Sequence, residues 1–248
     1  MIIAGACSYI SRDDEDNILK TAQELKGFAH LFRCKVWCGG TRVDRWYDGI
    51  GSKGLYLLQK INDEIIPAGT ECQLPSHFIA ANKFNLSFAW IGARNCQNYG
   101  LIRELKVAWP EDKMCFVKRG FGITIEETIN LYDIYKKYNN KVYIIERGVN
   151  TFDRGDIVRW RPDLLGVVMI KQLRPDIFEN LVIDCAHSVG DKKYIHDIYT
   201  AFRAVGVRHF MFEVLSEPEK SLTDKRQILS ISEFKDIVIS DNNQIKNY

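Results

Sequence analysis

Eight short β-rich runs alternate with helix-length segments along this chain, and that alternation limits the folds open to it. The runs are Ile2–Ala6, Leu31–Cys38, Ile66–Thr70, Phe84–Gly92, Met114–Lys118, Val142–Glu146, Leu181–Cys185 and Val207–Val214. Between them the pattern predicts helices over Asp13–Leu25, Leu55–Ile65, Ser76–Asn82, Asn98–Leu105, Thr124–Tyr138 and Lys193–Val205. A further helix is expected near Asp224–Ser230, and the stretch reaching about Leu173 is less regular. Local signals mark several starts: acidic residues after Asp13, Pro75 ahead of the third helix, and Thr124-Ile-Glu-Glu, close to a capping box. Parallel strands need such long crossovers, because no tight turn can join them. The β-rich runs carry apolar residues on both faces, as strands covered on both sides must. A doubly wound open sheet usually has fewer strands and a Gly-rich first turn, and neither is evident. The reading is a (β/α)8 TIM barrel, for which 248 residues is an ordinary length.

Composition narrows the partners. The 34 basic and 32 acidic residues leave a formal net charge of +2, so neither nucleic acid nor an acidic membrane is the expected partner. No apolar run is long enough to span a membrane, and the first residues lack the basic flank and apolar stretch of a signal peptide. Seven cysteines without framework spacing read as reduced thiols in a cytoplasmic protein, with Cys34, Cys72, Cys115 and Cys185 as small buried hydrophobes. No composition shift divides the chain, so one catalytic barrel is expected over residues 1–248, with a frayed polar tail from about 240.

In such a barrel the site is built where strands end and their following loops begin. Those ends carry Cys7, Lys35 with Arg42, Glu71, Arg94, Lys118, Arg147, His187, and Glu213 with Asp224, an ionisable group at every strand. Cys7, His187, Glu213 and Asp224 are a thiol, an imidazole and two carboxylates, a mixed soft and hard set suited to a catalytic divalent transition metal. They converge only if the first and last strands are neighbours. The basic members suggest an anionic ligand, since Arg and Lys clamp phosphate and carboxylate. Asp184 is close enough in sequence to orient His187, whereas His30, His77, His196 and His209 read as structural. Gly49-Ile-Gly-Ser-Lys-Gly lacks the spacing of a phosphate-binding loop.

At these same residues the chain resembles the DAHP (3-deoxy-D-arabino-heptulosonate 7-phosphate) synthase family, class I. The resemblance rests on Ala4-Gly-Ala-Cys-Ser, Ile91-Gly-Ala-Arg-Asn-Cys-Gln-Asn, Val117-Lys-Arg-Gly, Ile145-Glu-Arg-Gly, Ile183-Asp-Cys-Ala-His-Ser and Glu213-Val-Leu-Ser-Glu-Pro-Glu-Lys-Ser-Leu-Thr-Asp. It implies a barrel that condenses phosphoenolpyruvate with erythrose 4-phosphate and releases phosphate, with Cys7, Lys118 and His187 in the catalytic machinery. It further implies a divalent ion (Mn²⁺, Fe²⁺, Zn²⁺ or Co²⁺) on Cys7, His187, Glu213 and Asp224. Arg94, Lys118 and Arg147 are then expected to hold the phosphate and carboxylate of phosphoenolpyruvate, with Lys35 as another basic contact, Arg42 standing in for the family's substrate-binding loop arginine, and Glu71 beside the same pocket. Arg119 and Glu146 are expected to be supporting residues. A homo-oligomer, dimer or tetramer, is also implied, and the lack of an extension or added domain predicts no feedback inhibition by aromatic amino acids.

Two departures stand out. Where the family has a lysine in the loop after the second strand, this chain has Gly39 or Gly40, with Arg45 or Lys53 as candidate substitutes. Where it has a histidine after the last strand, this chain has Leu215. Both are expected to fall on the aldose side, where Trp37, Trp46 and Tyr47 either line the pocket or pack the loop. A synthase using phosphoenolpyruvate with a different aldose, or a non-catalytic sugar-phosphate-binding barrel, are the alternatives.

Overall fold

The computed structural model describes residues 1–39, 47–152 and 159–244. Eight parallel strands close on themselves in chain order. They are β1 (Ile2–Gly5), β2 (Leu31–Arg33), β3 (Ala68–Glu71), β4 (Phe88–Ile91), β5 (Met114–Lys118), β6 (Val142–Glu146), β7 (Leu181–Asp184) and β8 (His209–Glu213). The helices are α1 (Glu15–Leu25), α2 (Leu55–Glu64), α3 (Pro75–Lys83), α4 (Tyr99–Ala108), α5 (Ile125–Lys136), α6 (Leu164–Leu173), the short α7 (Pro175–Phe178) and α8 (Cys185–Val189), α9 (Ile195–Val205) and α10 (Ile231–Gln244). Closure is made by β1 against β8, in a register that sets Gly5 opposite Glu213.

Side chains alternate along a strand with a period of two, and the barrel uses both faces. Ile3, Leu31, Phe88, Trp90, Phe116, Ile145, Val182 and Met211 form one apolar cluster inside it, while a larger cluster fills the layer between strands and helices. Stepping by two from the interior residues reaches Cys7 from Ile3, Arg33 and Lys35 from Leu31, Lys118 from Phe116, Arg147 from Ile145, Asp184 from Val182 and Glu213 from Met211. The ionisable ring at the strand ends is therefore the top of the interior stripe.

Several element boundaries differ from expectation. Phe84–Ser87 is a turn rather than the start of β4, because Asn85 adopts a left-handed conformation (φ 53°) just past α3. After Arg33 the chain leaves the sheet, keeping only a bridge between Lys35 and Ser8. α6 is regular where an irregular stretch was expected, its first turn held by the Asp163 carboxylate accepting from Gly166 N at 2.8 Å. The helix expected near Asp224–Ser230 is only a tight single turn, Lys225–Gln227. The terminal helix begins instead at Ile231, where Ser230 and Glu233 cap each other reciprocally, and it runs to Gln244. It thus enters the segment read as a frayed tail, whose residues 245–248 lie outside the described residues.

Candidate active site

Cys7, His187, Glu213 and Asp224 come together as expected, with one ligand atom from each lying within 4.8 Å of the others. Each arrives by a different route. Cys7 follows β1 and Glu213 ends β8, neighbours through barrel closure. His187 sits on α8, whose first turn is capped by Asp184 Oδ1 accepting from His187 N at 3.0 Å. Asp224 is delivered by the loop after β8 in a left-handed conformation, φ 50°. Its Oδ2 accepts from the Cys7 thiol at 3.7 Å, and its Oδ1 accepts from Arg159 at 2.8 Å.

The cluster suits a cation. Glu213 is fully buried, and its Oε1 lies 3.1 Å from Arg33 Nη1 and 3.4 Å from His187 Nε2 without a well-directed hydrogen bond to either. A buried carboxylate oxygen left in that state is costly unless something else engages it. Burial raises the Cys7 thiol well above its ordinary pKa, and the Glu213 and Asp224 carboxylates push the same way. Burial lowers the pKa of His187 despite Asp184 and Glu213 beside it, which favours the neutral, ligating imidazole. A thiol, a neutral imidazole and two carboxylates fit one divalent transition ion.

Supporting contacts surround these four. Asp184 Oδ2 lies 2.9 Å from His187 Nδ1, out of line for a full hydrogen bond, and accepts from Lys118 Nζ at 2.8 Å. Burial opposes the ionisation of Asp184, but His187 and Lys118 outweigh it and hold the carboxyl well below its usual range. Gln227, also buried, donates to Glu213 Oε2 at 2.5 Å and accepts from Arg159 at 2.9 Å, tying two of the candidate ligands together.

Above the cluster opens a cavity of about 660 Å³. His187 and Asp224 reach it, while Cys7 and Glu213 are buried beneath them. Lys35, Glu71, Arg94, Lys118 and Arg147 line its walls, as expected. Glu71 is fixed by the Trp90 indole, which donates to Oε2 at 3.0 Å. Arg147 is 4% exposed and its Nη1 has no hydrogen-bond partner. Burial lowers its pKa to about 10, opposed by Asp184 and reinforced by Arg159 and Arg94, so it remains a cation at neutral pH.

Arg42 lies outside the described residues, with Gly40, Arg45 and Trp46. Gly39 and Tyr47 line the cavity, whereas Lys53 does not, and Trp37 stacks on His77 at a centroid distance of 4.0 Å. The expectation for Leu215 needs correction. It is 5% exposed and lines a separate small crevice with Ser8 and Asn17 rather than the cavity, because β8 ends at Glu213 and the chain beyond it pairs with Leu229, so barrel parity no longer sets the side Leu215 faces. Arg119 and Glu146 form a buried pair at 2.7 Å, joined by Asp163, outside the cavity lining.

Sequence reasoning missed Arg33, Arg159, Gln227, Phe121 and Trp160. Arg33 was accessible: an arginine between Leu31 and Lys35, two residues from each, has to share their interior face. Arg159 and Trp160 stand in a loop with no period to place them.

A closed parallel barrel with its ionisable ring at the C-terminal strand ends, a four-ligand cluster and a cationic cavity is an enzyme architecture. The chain belongs to the DAHP synthetase I family, whose model matches residues 1–247, and it is a carbon–carbon bond-forming transferase of the DAHP synthase kind. It is 31% identical over 247 residues to a phospho-2-dehydro-3-deoxyheptonate aldolase of Thermotoga maritima, a match spanning 96% of this chain and 67% of that protein. The crystal structure of a DAHP synthase from the same organism superimposes over the whole chain, covering 69% of that structure, with a TM-score of 0.85 at 28% identity. A 2-dehydro-3-deoxyphosphooctonate aldolase of Campylobacter jejuni is more distant, at 25% identity over 96% of this chain and 93% of that enzyme.

Proposed function

We propose that the chain catalyses the metal-dependent condensation of phosphoenolpyruvate with erythrose 4-phosphate, giving 3-deoxy-D-arabino-heptulosonate 7-phosphate and inorganic phosphate, the first step of the shikimate pathway. The observation that carries this reading is the buried, unpaired edge of Arg147 in a cavity that also receives two of the four clustered ligands. Arg147, Arg94 and Lys118 bind the phosphate and carboxylate of phosphoenolpyruvate, and the low local polarity strengthens those charge-assisted contacts. Lys118 is kept in place by Asp184, which also sets the His187 ring. Cys7, His187, Glu213 and Asp224 hold the divalent ion, which when bound polarises the aldehyde oxygen as a Lewis acid. C3 of the enol attacks the aldehyde carbon, water adds at C2, and phosphate leaves. Lys35 and Glu71, which line the same cavity, contact the substrates beside the arginines.

A second reading keeps phosphoenolpyruvate and changes the aldose. Gly39 on the cavity wall, where the family resemblance leads one to expect a lysine, and the similarity to an octonate-forming relative favour it. Phosphate release measured with erythrose 4-phosphate and a panel of other phosphorylated and free aldoses separates the two. Release with erythrose 4-phosphate alone supports the first, and release only with another aldose supports the second. Release with none contradicts both.

The reading includes a cytoplasmic homo-oligomer. No helix among the described residues is long and apolar enough to cross a membrane. α6 exposes Leu165, Met169 and Leu173, four residues apart on one face, which supports self-association and is tested by light scattering.

A further inference from the structure

Phe121, in the loop after β5, and Trp160, in the loop after β6, stack face to face with centroids 4.0 Å apart and planes 7° from parallel. The Arg147 guanidinium carbon lies 4.6 Å from the Phe121 centroid and 4.7 Å from that of Trp160. Arg94 approaches the same Phe121 ring at 5.1 Å. All four side chains line the cavity.

This arrangement is built into the backbone. Val149 and Arg161 form an antiparallel bridge, exchanging hydrogen bonds of 2.9 and 3.1 Å, which sets Trp160 beside Arg147. Gly148 permits the close pass: it has φ +92°, and a Cβ there would meet the Trp160 Cβ at 2.8 Å. Asn150 N donates to Phe121 O at 2.9 Å and locks the two loops together.

The physical consequence concerns the edges of the guanidinium. A buried arginine is commonly fixed by a carboxylate, which consumes the same N–H donors that an anionic ligand needs. An aromatic face attracts the cation through its quadrupole and leaves the in-plane donors free. The unpartnered Nη1 of Arg147 is such a donor. The shelf also brings a second guanidinium beside the first, against their mutual repulsion.

We propose that Phe121 and Trp160 are positioning residues: an aromatic shelf that holds Arg147 beside Arg94 and leaves the Arg147 Nη1 edge open to an anion, and so sets the affinity of the phosphoenolpyruvate clamp. The inference rests on the function proposed above. The rings act through the guanidinium groups, so their removal is expected to weaken ground-state and transition-state binding alike and to leave turnover at saturation unchanged.

The test is calorimetric titration of phosphoenolpyruvate, and separately of inorganic phosphate, into the full chain with Mn²⁺, alongside steady-state kinetics. Trp160→Leu is expected to weaken phosphoenolpyruvate binding about 10- to 30-fold, the fold-change of a desolvated cation–π contact, and to raise KM with kcat held within about twofold. Trp160→Phe keeps a ring on the shelf and restores binding to within about threefold of wild type. Phe121→Leu shows the same signs and carries the test if Trp160→Leu does not fold. Wild-type affinity in both leucine variants, or a Trp160→Phe variant as weak as Trp160→Leu, overturns the inference while leaving the proposed function standing. A wild-type protein that binds neither phosphoenolpyruvate nor phosphate removes the anion site itself, and both readings fall.

Discussion

Arg33 Nη1 lies 3.1 Å from Glu213 Oε1, and both side chains are sealed from water, at 2% and 0% exposure. Arg33 Nη2 also donates to the Cys7 carbonyl at 3.2 Å, and the guanidinium lies 5.2 Å from the centre of the Trp90 ring. One interior arginine therefore neutralises a candidate metal ligand from below while holding the backbone of another.

Removing one member of a buried pair leaves an uncompensated charge, at a cost of about 3–5 kcal/mol. Arg33→Met is expected to lower stability by about that amount when metal is chelated. A cation at the cluster can take over the lost compensation, so the rise in Tm on adding Mn²⁺ is larger in Arg33→Met than in wild type. Thermal unfolding with chelator and with Mn²⁺ checks this, and an equal rise in both proteins contradicts it.

Gln227 links Glu213 to Arg159, and Arg159 in turn holds Asp224. Partners that orient ligands in this way typically matter by about 10- to 100-fold in metal affinity. Gln227→Leu keeps the volume and removes both hydrogen bonds. Competition against a metallochromic chelator should show weaker Mn²⁺ or Zn²⁺ binding in that range, and unchanged binding assigns Gln227 to packing alone.

Gly92 tests the placement of Glu71. A Cβ at residue 92 would stand 2.6 Å from Glu71 Oε1, so the carboxylate must give way. Gly92→Ala is expected to disconnect Glu71 from Trp90 and to cut kcat/KM by about tenfold or more, the rate equivalent of about 1.4 kcal/mol, with circular dichroism unchanged. Wild-type kinetics in this variant mean that Glu71 has no part in the reaction.

The barrel was legible because strands buried on two faces and long crossovers leave a strong repeating signal. The clustering of the four candidate ligands was legible too, since Cys7, Glu213 and the strand before His187 are anchored to that repeat, and barrel closure supplies the convergence. Residues that arrive by loops were not. Nothing periodic announces that Trp160 stands beside Arg147, or that Arg159 reaches Asp224. Leu215 went astray for a different reason: parity would set it on the Glu213 face, but β8 ends at Glu213 and the chain beyond it pairs with Leu229 instead. The start of β4 was misread because a single left-handed asparagine, Asn85, interrupts a run that is otherwise apolar enough for a strand.

Acid stability reports on an outer clasp. Arg174 donates to Asp133 at 2.8 Å and to Asp176 at 2.8 Å, joining α5 to α7. The Arg174 hydrogen bond lowers the Asp176 pKa. A carboxyl with a depressed folded-state pKa contributes stability above its unfolded value, near 3.9, and loses it as pH falls through the folded value. Asp176→Asn should therefore melt about 1–3 °C below wild type at pH 7, as befits an exposed pair, with the gap closing below about pH 4. A gap that persists at low pH contradicts the assignment.

The central claim is that Cys7, His187, Glu213 and Asp224 form one divalent-metal site on which condensation depends. Its most direct test is metal binding to chelator-stripped protein, measured by calorimetry beside phosphate release from phosphoenolpyruvate and erythrose 4-phosphate. The account predicts one ion per chain, activity that vanishes with chelator and returns with Mn²⁺, and loss of both binding and activity in a folded His187→Ala variant. Activity indifferent to chelator, or metal binding undiminished in His187→Ala, contradicts it.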